Sequence, residues 1–397
     1  MRSTQMIKHD FATLAATWSF PTTVLFGAGT LGKAGRACEQ ARIKRPLVVT
    51  DPPLAKLPVT ETLLEALRDH GLEPMLFTDV RSNPVAANVE AGVAAFHAQS
   101  HDGVVALGGG SALDCGKVIA FMAGQSRPLW DFEDIGDWWR RARLEGIAPV
   151  VAIPTAAGTG SEVGRAGVIT DETTHTKKII FHPGMMPKTA ILDPEVTLSL
   201  PPSLTAATGM DALAHCLEAY CAPAWHPMAE GIAVEGMRLV KEALPRAFAD
   251  GTDLDARAMM LAASAMGAVA FQKGLGAIHS LSHPIGAVYD THHGLTNAVV
   301  MPYVLVFNRH MIEGKIERAA AWLGIEGGFD GFLGWILALR AELGVPHTLQ
   351  ALGVPTDRFD DLAAMAVVDP TAGGNPEPLD LAAANRLLAE AYSGVGI

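Results

Sequence analysis

Five short runs in the first half of the chain are apolar from end to end: PLVVT at 46–50, MLFT at 75–78, GVVAL at 103–107, PVVAI at 149–153 and AIL at 190–192. A strand with one wet face alternates polar and apolar residues, so runs without alternation read as strands buried on both faces. Amphipathic segments at 61–70 and 86–99 separate the first three runs. This order predicts an α/β domain whose mostly parallel sheet carries helices on both faces. After LSLPP at 198–202 the β-branched runs stop, and long Ala-, Leu-, Met- and Glu-rich stretches occupy 205–220, 228–247 and 256–271. They predict an all-helical second half. The double proline is the expected boundary and hinge, with an α/β domain over 1–202 and an all-α domain over 203–397. Clefts between domains commonly bind ligands, so the active site is expected in the interdomain cleft.

Composition narrows the class. Hydrophobic residues form 49% of the chain and charged residues 18%, enough apolar material for two cores and unlike a disordered chain. The net charge of −12 offers no basic footprint for nucleic acid and no attraction to an anionic membrane. Cys38, Cys115, Cys216 and Cys221 form no CxxC pair and read as free thiols of a reducing compartment. Residues 1–14 hold no apolar core of a signal peptide, and apolar stretches such as 259–271 are short for a bilayer span. A cytoplasmic protein is expected.

Two glycine-rich loops compete for a dinucleotide, and a third loop, by itself only Ser/Thr/Gly-rich, lies at the same sheet edge. The first, GAGTLG at 27–32, is a formal GxGxxG of the Rossmann type, and Asp51 lies 19 residues beyond its last glycine. Taken alone it is a weak signal, and a tight turn with no ligand is the better reading. The second, GGGSALDCGK at 108–117, leaves a buried strand and opens a helix. Gly108, Gly109 and Gly110 allow close backbone approach to an anion. The helix N-terminus adds positive potential and Ser111 adds a hydroxyl donor. Under either loop, Asp51 at a strand end can accept both ribose hydroxyls of NAD and would repel the 2′-phosphate of NADP. The third, IPTAAGTGSE at 153–162, also leaves a buried strand and carries the donors Thr155, Thr159 and Ser161.

The helical half concentrates metal-ligand chemistry. Asp211 and His215 stand four apart within a helical pattern and so face one side. His279 and His283 repeat the spacing, and His292-His293-Gly follows. A carboxylate with imidazoles suits Fe²⁺ or Zn²⁺, the carboxylate leaning toward the harder iron. A single such pair is ordinarily just a helix face.

GGGSALDCGK at 108–117, IPTAAGTGSEV at 153–163, TGMDALAHCLEAY at 208–220 and GLGAIHSLSHPIGAVYDTHHGLTNAVVMP at 274–302 together resemble the iron-containing (group III) alcohol dehydrogenases. The blocks stand in that family's order and spacing, and the resemblance runs from about Thr22 to the C-terminus. It implies a Rossmann-like domain followed by a helical one. It also implies a metal held by Asp211, His215, His279 and His293, with His283 a non-ligand catalytic histidine near the nicotinamide. Gly108, Gly109, Gly110 and Ser111 match the pyrophosphate loop, which leaves Gly27–Gly32 as a turn. Asp51 matches the ribose-contacting acid that favours NAD over NADP, and Asp114, Thr155 and Thr159 match cofactor contacts. Lys177 or Lys178 matches a cofactor-side lysine. Ala156 and Gly164 depart from the pattern, standing where many members carry Thr. No ligand position departs, which speaks against the maleylacetate reductases, relatives of the same fold that lack the metal set.

The activity so implied is NAD-linked oxidation of a small alcohol, or reduction of an aldehyde. The metal, iron or alternatively zinc, lowers the pKa of the bound hydroxyl, and the carbinol hydride passes to nicotinamide C4. His283 relays the proton. The alternative is a metal- and NAD-dependent lyase similar to dehydroquinate synthase. It needs a basic pocket for a phosphorylated, carboxylated substrate, and the nearest cations in sequence are Lys273 and Arg165. A metal-binding regulatory or storage protein would leave the nucleotide loops unexplained. A homodimer or larger homo-oligomer is expected by resemblance, with residues 22–26 as a candidate edge strand.

Overall fold

The computed structural model describes residue 20, residues 22–174 and residues 176–397; the signal-peptide reading of residues 1–14 lies outside them. The described chain divides into two compact units, one of residues 22–200 and the other of residues 201–397 together with Phe20. In chain order the first unit holds β1 (Thr23–Phe26), α1 (Ala34–Gln40), β2 (Pro46–Val49), α2 (Pro58–Asp69), β3 (Met75–Phe77) and α3 (Ala86–Ala98). It continues with β4 (Gly103–Gly108), α4 (Gly110–Met122), β5 (Val150–Pro154), β6 (Ala166–Asp171), β7 (Thr176–Phe181) and β8 (Thr189–Leu192).

Six strands form one sheet in the order β1-β8-β5-β4-β2-β3, and every pairing is parallel. All residues of β2, β4, β5 and β8 are buried, as their unbroken apolar runs require. Alternate side chains feed two cores. Leu47, Val49, Val104 and Ala106 pack with Val89 of α3 and Val118 and Ile119 of α4. Val48, Val105, Leu107 and Ile153 pack with Cys38 of α1 and Leu63 and Leu67 of α2. Each large aliphatic side chain so buried stabilises the sheet by roughly 1.5–3 kcal/mol. Helices therefore cover both faces, as expected.

One feature was not anticipated, and the turn that the resemblance implied at 27–32 gains a reason. β6 and β7 form a separate antiparallel ribbon, in register from Ala166↔Phe181 to Asp171↔Thr176. The first glycine loop also proves remote from Asp51. It follows β1, and three strands (β8, β5 and β4) separate β1 from β2, whose end carries Asp51. A Rossmann fingerprint needs those two strands side by side. Residues 27–32 instead make a turn with Gly27 at φ 123° and Gly29 at φ 73°, tied by the Leu31 amide to Asp193 Oδ2 at 2.8 Å.

The second unit is helical: α5 (Pro202–Cys221), α6 (Pro227–Ala249), α7 (Leu254–Ala270), α8 (Ala277–Tyr289), α9 (His293–Trp322), α10 (Gly328–Glu342), α11 (Phe359–Val368) and α12 (Leu381–Ser393). Pro202 occupies the first turn of α5, where its missing N–H costs nothing. Nearly all of α5 is buried, and it packs against α6, α7 and α9. Leu254–Lys273 is long and apolar enough to cross a membrane by length and composition, longer than the 259–271 stretch suggested, yet 56% of its apolar window is buried within the protein. The four cysteines are free and buried. Burial pushes each thiol up to about 12.

Candidate metal centre and nucleotide loops

The turn of one helix and the start of two others bring the histidines together. On α5, the four-residue spacing puts Asp211 and His215 on one face; His279 comes from the first turn of α8. These three side chains are buried, and each offers a ligand atom within 4.8 Å of the others. His215 and His279 stack at 4.7 Å between ring centroids. His293, the first residue of α9, places Nε2 3.5 Å from Asp211 Oδ1. Its neighbour His292 is exposed and meets the helix through its carbonyl, which accepts from the Thr296 amide at 3.0 Å. Gly294 makes this junction sterically feasible, because a Cβ there would sit 2.1 Å from the Ala207 carbonyl oxygen.

Outer partners fix the imidazoles. Glu218 Oε2 lies 2.5 Å from His279 Nδ1, and Glu218 Oε1 accepts from the Ile278 amide at 2.7 Å. Ser282 Oγ donates to the His279 carbonyl, so it accepts from His293 Nδ1 at 3.4 Å. Both assignments leave Nε2 with its lone pair facing the cluster. Burial, then the neighbouring His215, holds the His279 pKa well below its ordinary value, keeping the ring neutral. Burial pushes Glu218 up to about 7. Asn297, one turn into α9, donates from Nδ2 to Asp211 Oδ1 at 2.8 Å. The same nitrogen stands 3.3 Å and 3.1 Å from Nε2 of His279 and His293. Its own Oδ1 is buried with no partner. Several lone pairs converging in a dry interior are costly unless a cation joins them, and one carboxylate with three imidazoles is a donor set for iron or zinc. The residues fit a divalent ion.

His283 lies beside the cluster, its ring stacked on His293 at 5.4 Å. Asp369 Oδ2 stands 2.9 Å from its Nδ1. Burial raises the Asp369 carboxyl, but His283 and Thr371 outweigh it and hold the group below its ordinary range.

The nucleotide loops sit at the sheet's carboxyl edge. β2 and β4 are neighbours, so Asp51 and Gly108 adjoin, at the switch point where the chain turns back across the sheet. Gly108 needs its φ of 148°, and a Cβ there would come 3.7 Å from Asp51 Oδ2. Nothing lies within 4 Å of a Cβ at Gly109. At Gly110 a Cβ would meet Thr159 Cγ2 at 2.6 Å, so the second and third loops touch. The Thr155 amide donates to the Gly108 carbonyl at 3.0 Å. Four of the expected donors or acceptors are engaged by the protein itself: Asp51 Oδ1 accepts from the Leu54 amide at 2.8 Å and Thr159 Oγ1 from the Ser161 amide at 3.3 Å. Ser111 Oγ donates to the Ser82 carbonyl. Asp114 accepts from Ser161 Oγ at 2.5 Å and from the Val168 amide at 3.0 Å. Lys177 lies on β7 opposite Thr170, on the other face of the ribbon from Lys178, which pairs with Asp171 at 3.0 Å.

Both cations that the lyase alternative would draw on have contacts within the protein. Lys273 is buried and caps the C-terminus of α5, donating to the carbonyls of Ala219, Tyr220 and Ala222 at 3.0, 3.1 and 2.5 Å. Arg165 lies over the Phe181 ring at 5.6 Å.

Sequence reading missed Glu218, Asn297 and Asp369. The first two carried a signal: Glu218 continues the Asp211 face at i+7, and Asn297 stands four residues after His293. Asp369 is 86 residues from His283 and has no local signature.

The model of the iron-containing alcohol dehydrogenases matches residues 21–194, and that family's C-terminal model matches residues 205–392. The chain belongs to the iron-containing alcohol dehydrogenase family. It is an oxidoreductase acting on CH–OH groups. The 4-hydroxybutyrate dehydrogenase of Cupriavidus necator is 40% identical over 373 residues, 91% of this chain and 96% of that one. The NAD-dependent methanol dehydrogenase of Bacillus methanolicus is 34% identical, over 90% of this chain and 94% of its own. Among solved structures, a 1,3-propanediol oxidoreductase superimposes with a TM-score of 0.90 at 33% identity, covering 95% of this alcohol dehydrogenase and all of that chain. Sulfoacetaldehyde reductase from Bifidobacterium kashiwanohense, solved with NAD⁺, gives 0.87 at 27% identity, covering 96% and 99%. These relatives are dehydrogenases and reductases, and they lend the lyase alternative no support.

Proposed function

We propose that this alcohol dehydrogenase is NAD-linked and depends on one divalent metal, iron with zinc as the alternative, held by Asp211, His215, His279 and His293. The observation that carries the reading is the buried Asp211–His215–His279 cluster with ligand atoms within 4.8 Å of one another. Bound there, the ion would supply Lewis acidity toward the oxygen of a small alcohol or aldehyde. NAD would accept the hydride, and Asp51 beside the Gly108–Ser111 loop favours it over NADP through repulsion of a 2′-phosphate. Gly109 leaves room for a pyrophosphate between Gly108 and Gly110, which pack closely on the protein; Thr155 and Thr159 brace that loop, and Lys177 is a further cofactor-side candidate. Ser111 and Asp114 serve by tying the loop down through Ser82, Ser161 and Val168. His283, with Nδ1 committed to Asp369, presents Nε2 to take the hydroxyl proton.

The test is NADH production by anaerobically purified protein on short alcohols, diols and hydroxy acids, before and after chelation and with Fe²⁺ or Zn²⁺ restored. Chelation should abolish turnover and one metal should restore it. His283→Ala should lower kcat by roughly 10²–10⁴-fold with full metal content. Turnover that survives exhaustive chelation would overturn the metal reading, and metal loss in His283→Ala would overturn the proton role.

We also infer a cytoplasmic homodimer or larger homo-oligomer, with no nucleic-acid or membrane partner. Its support is β1, an edge strand with Val24 and Phe26 38% and 51% exposed and one side unpaired among the described strands. Sedimentation equilibrium should give at least twice the chain mass, and Phe26→Lys should shift it toward the monomer. A monomeric wild type would reject the assembly.

A further inference from the structure

The start of α8, which carries His279 and His283, lacks a cap of its own. Its N-cap residue is Gly276, and no side chain of the helix satisfies the first amides. Those orphan donors must find acceptors elsewhere when buried. Ala277 donates to Asn375 Oδ1 at 3.1 Å, and Ile278 donates to Glu218 Oε1 at 2.7 Å. The cap is thus supplied from other elements, and Asn375 lies 98 residues away.

Asn375 is itself locked. It and Asn308 of α9 form a reciprocal amide pair at 2.9 and 2.8 Å, and its Nδ2 also donates to the Glu377 carbonyl at 2.6 Å. Both asparagines are buried. The approach is close on both sides: a Cβ on Gly276 would lie 2.8 Å from Asn375 Oδ1, and one on Gly374 would lie 2.0 Å from the Leu275 carbonyl oxygen. Asp369, at the other end of the same stretch, grips His283 at 2.9 Å and is fixed by the Thr371 amide at 2.9 Å.

We propose that residues 369–377 are a positioning segment for α8: Asn375 caps the helix in trans and sets the rotation that aims His279 into the ligand set, while Asp369 aims His283. The segment touches no ligand atom of the cluster: Asn375 acts through the helix, and Asp369 holds the non-ligand His283 directly. The proposal rests on the metal reading above.

The experiment loads the full-length protein with Zn²⁺ and follows its release to a colorimetric chelator, each variant at the same interval below its own Tm. Asn375→Ala should release zinc about tenfold faster, the equivalent of one lost buried hydrogen bond. Asn308→Ala should accelerate release less, because the Ala277 amide keeps its acceptor. Leu387→Ala, a core truncation on α12, should release at the wild-type rate. Asn375→Ala releasing zinc no faster than Leu387→Ala would overturn the proposal. If Asn375→Ala does not fold, Asn308→Ala against the same control decides. A wild type that binds no zinc or iron would instead sink the metal reading itself.

Discussion

Asp211→Asn is expected to strip the protein of metal and stop turnover while leaving it folded. Asp211 is the one formal negative charge among the four candidate ligands, and it is buried. The amide keeps the shape and can still accept from Asn297 Nδ2, now 2.8 Å from Asp211 Oδ1. What it removes is the charge that offsets a divalent cation. Loss of a mere outer partner typically costs roughly 10–100-fold in metal affinity, and loss of a charged ligand should exceed that. Metal per chain after gel filtration, with NADH production beside it, provides the check. A variant retaining one metal per chain and wild-type turnover would remove Asp211 from the ligand set.

Gly294→Ala should be nearly as damaging by a different route. The added methyl would lie 2.1 Å from the Ala207 oxygen, 2.8 Å from the Ala207 carbonyl carbon and 3.1 Å from Asp211 Cβ. Two of those atoms are backbone, so no rotamer change relieves the clash and α9 must back away from α5. Overpacking of this kind costs roughly 1–3 kcal/mol, about 2–4 °C of Tm per kcal/mol for a domain this size. The same displacement carries His293 away from Asp211. Thermal unfolding should therefore fall by several degrees and metal content should drop with it. Unchanged values of both would mean that the helices stand farther apart at Ala207 than described.

Much of the architecture was legible because burial writes itself into composition. β2, β4 and β5 coincide with unbroken apolar runs, and α5, α6 and α7 with Ala- and Leu-rich stretches. The ribbon of β6 and β7 was not, since its partly buried residues mix Thr, Lys and Asp with Ile and Val. The glycine decoy at 27–32 met every spacing rule and failed on strand order, which no local pattern encodes. In the histidine cluster, the i, i+4 spacing exposed Asp211 and His215 because one face of α5 brings them together. Asp369 and Asn375 escaped notice because tertiary contacts across 86 and 98 residues leave no periodic trace.

The four sulfhydryls carry a consequence for handling the enzyme. Each is buried, with ionisation pushed up to about 12, and oxidants and alkylating agents attack the thiolate. The folded chain should therefore be inert to both. Inactivation in air would point away from the thiols, and a maleimide dye added to the protein would label only molecules that have opened.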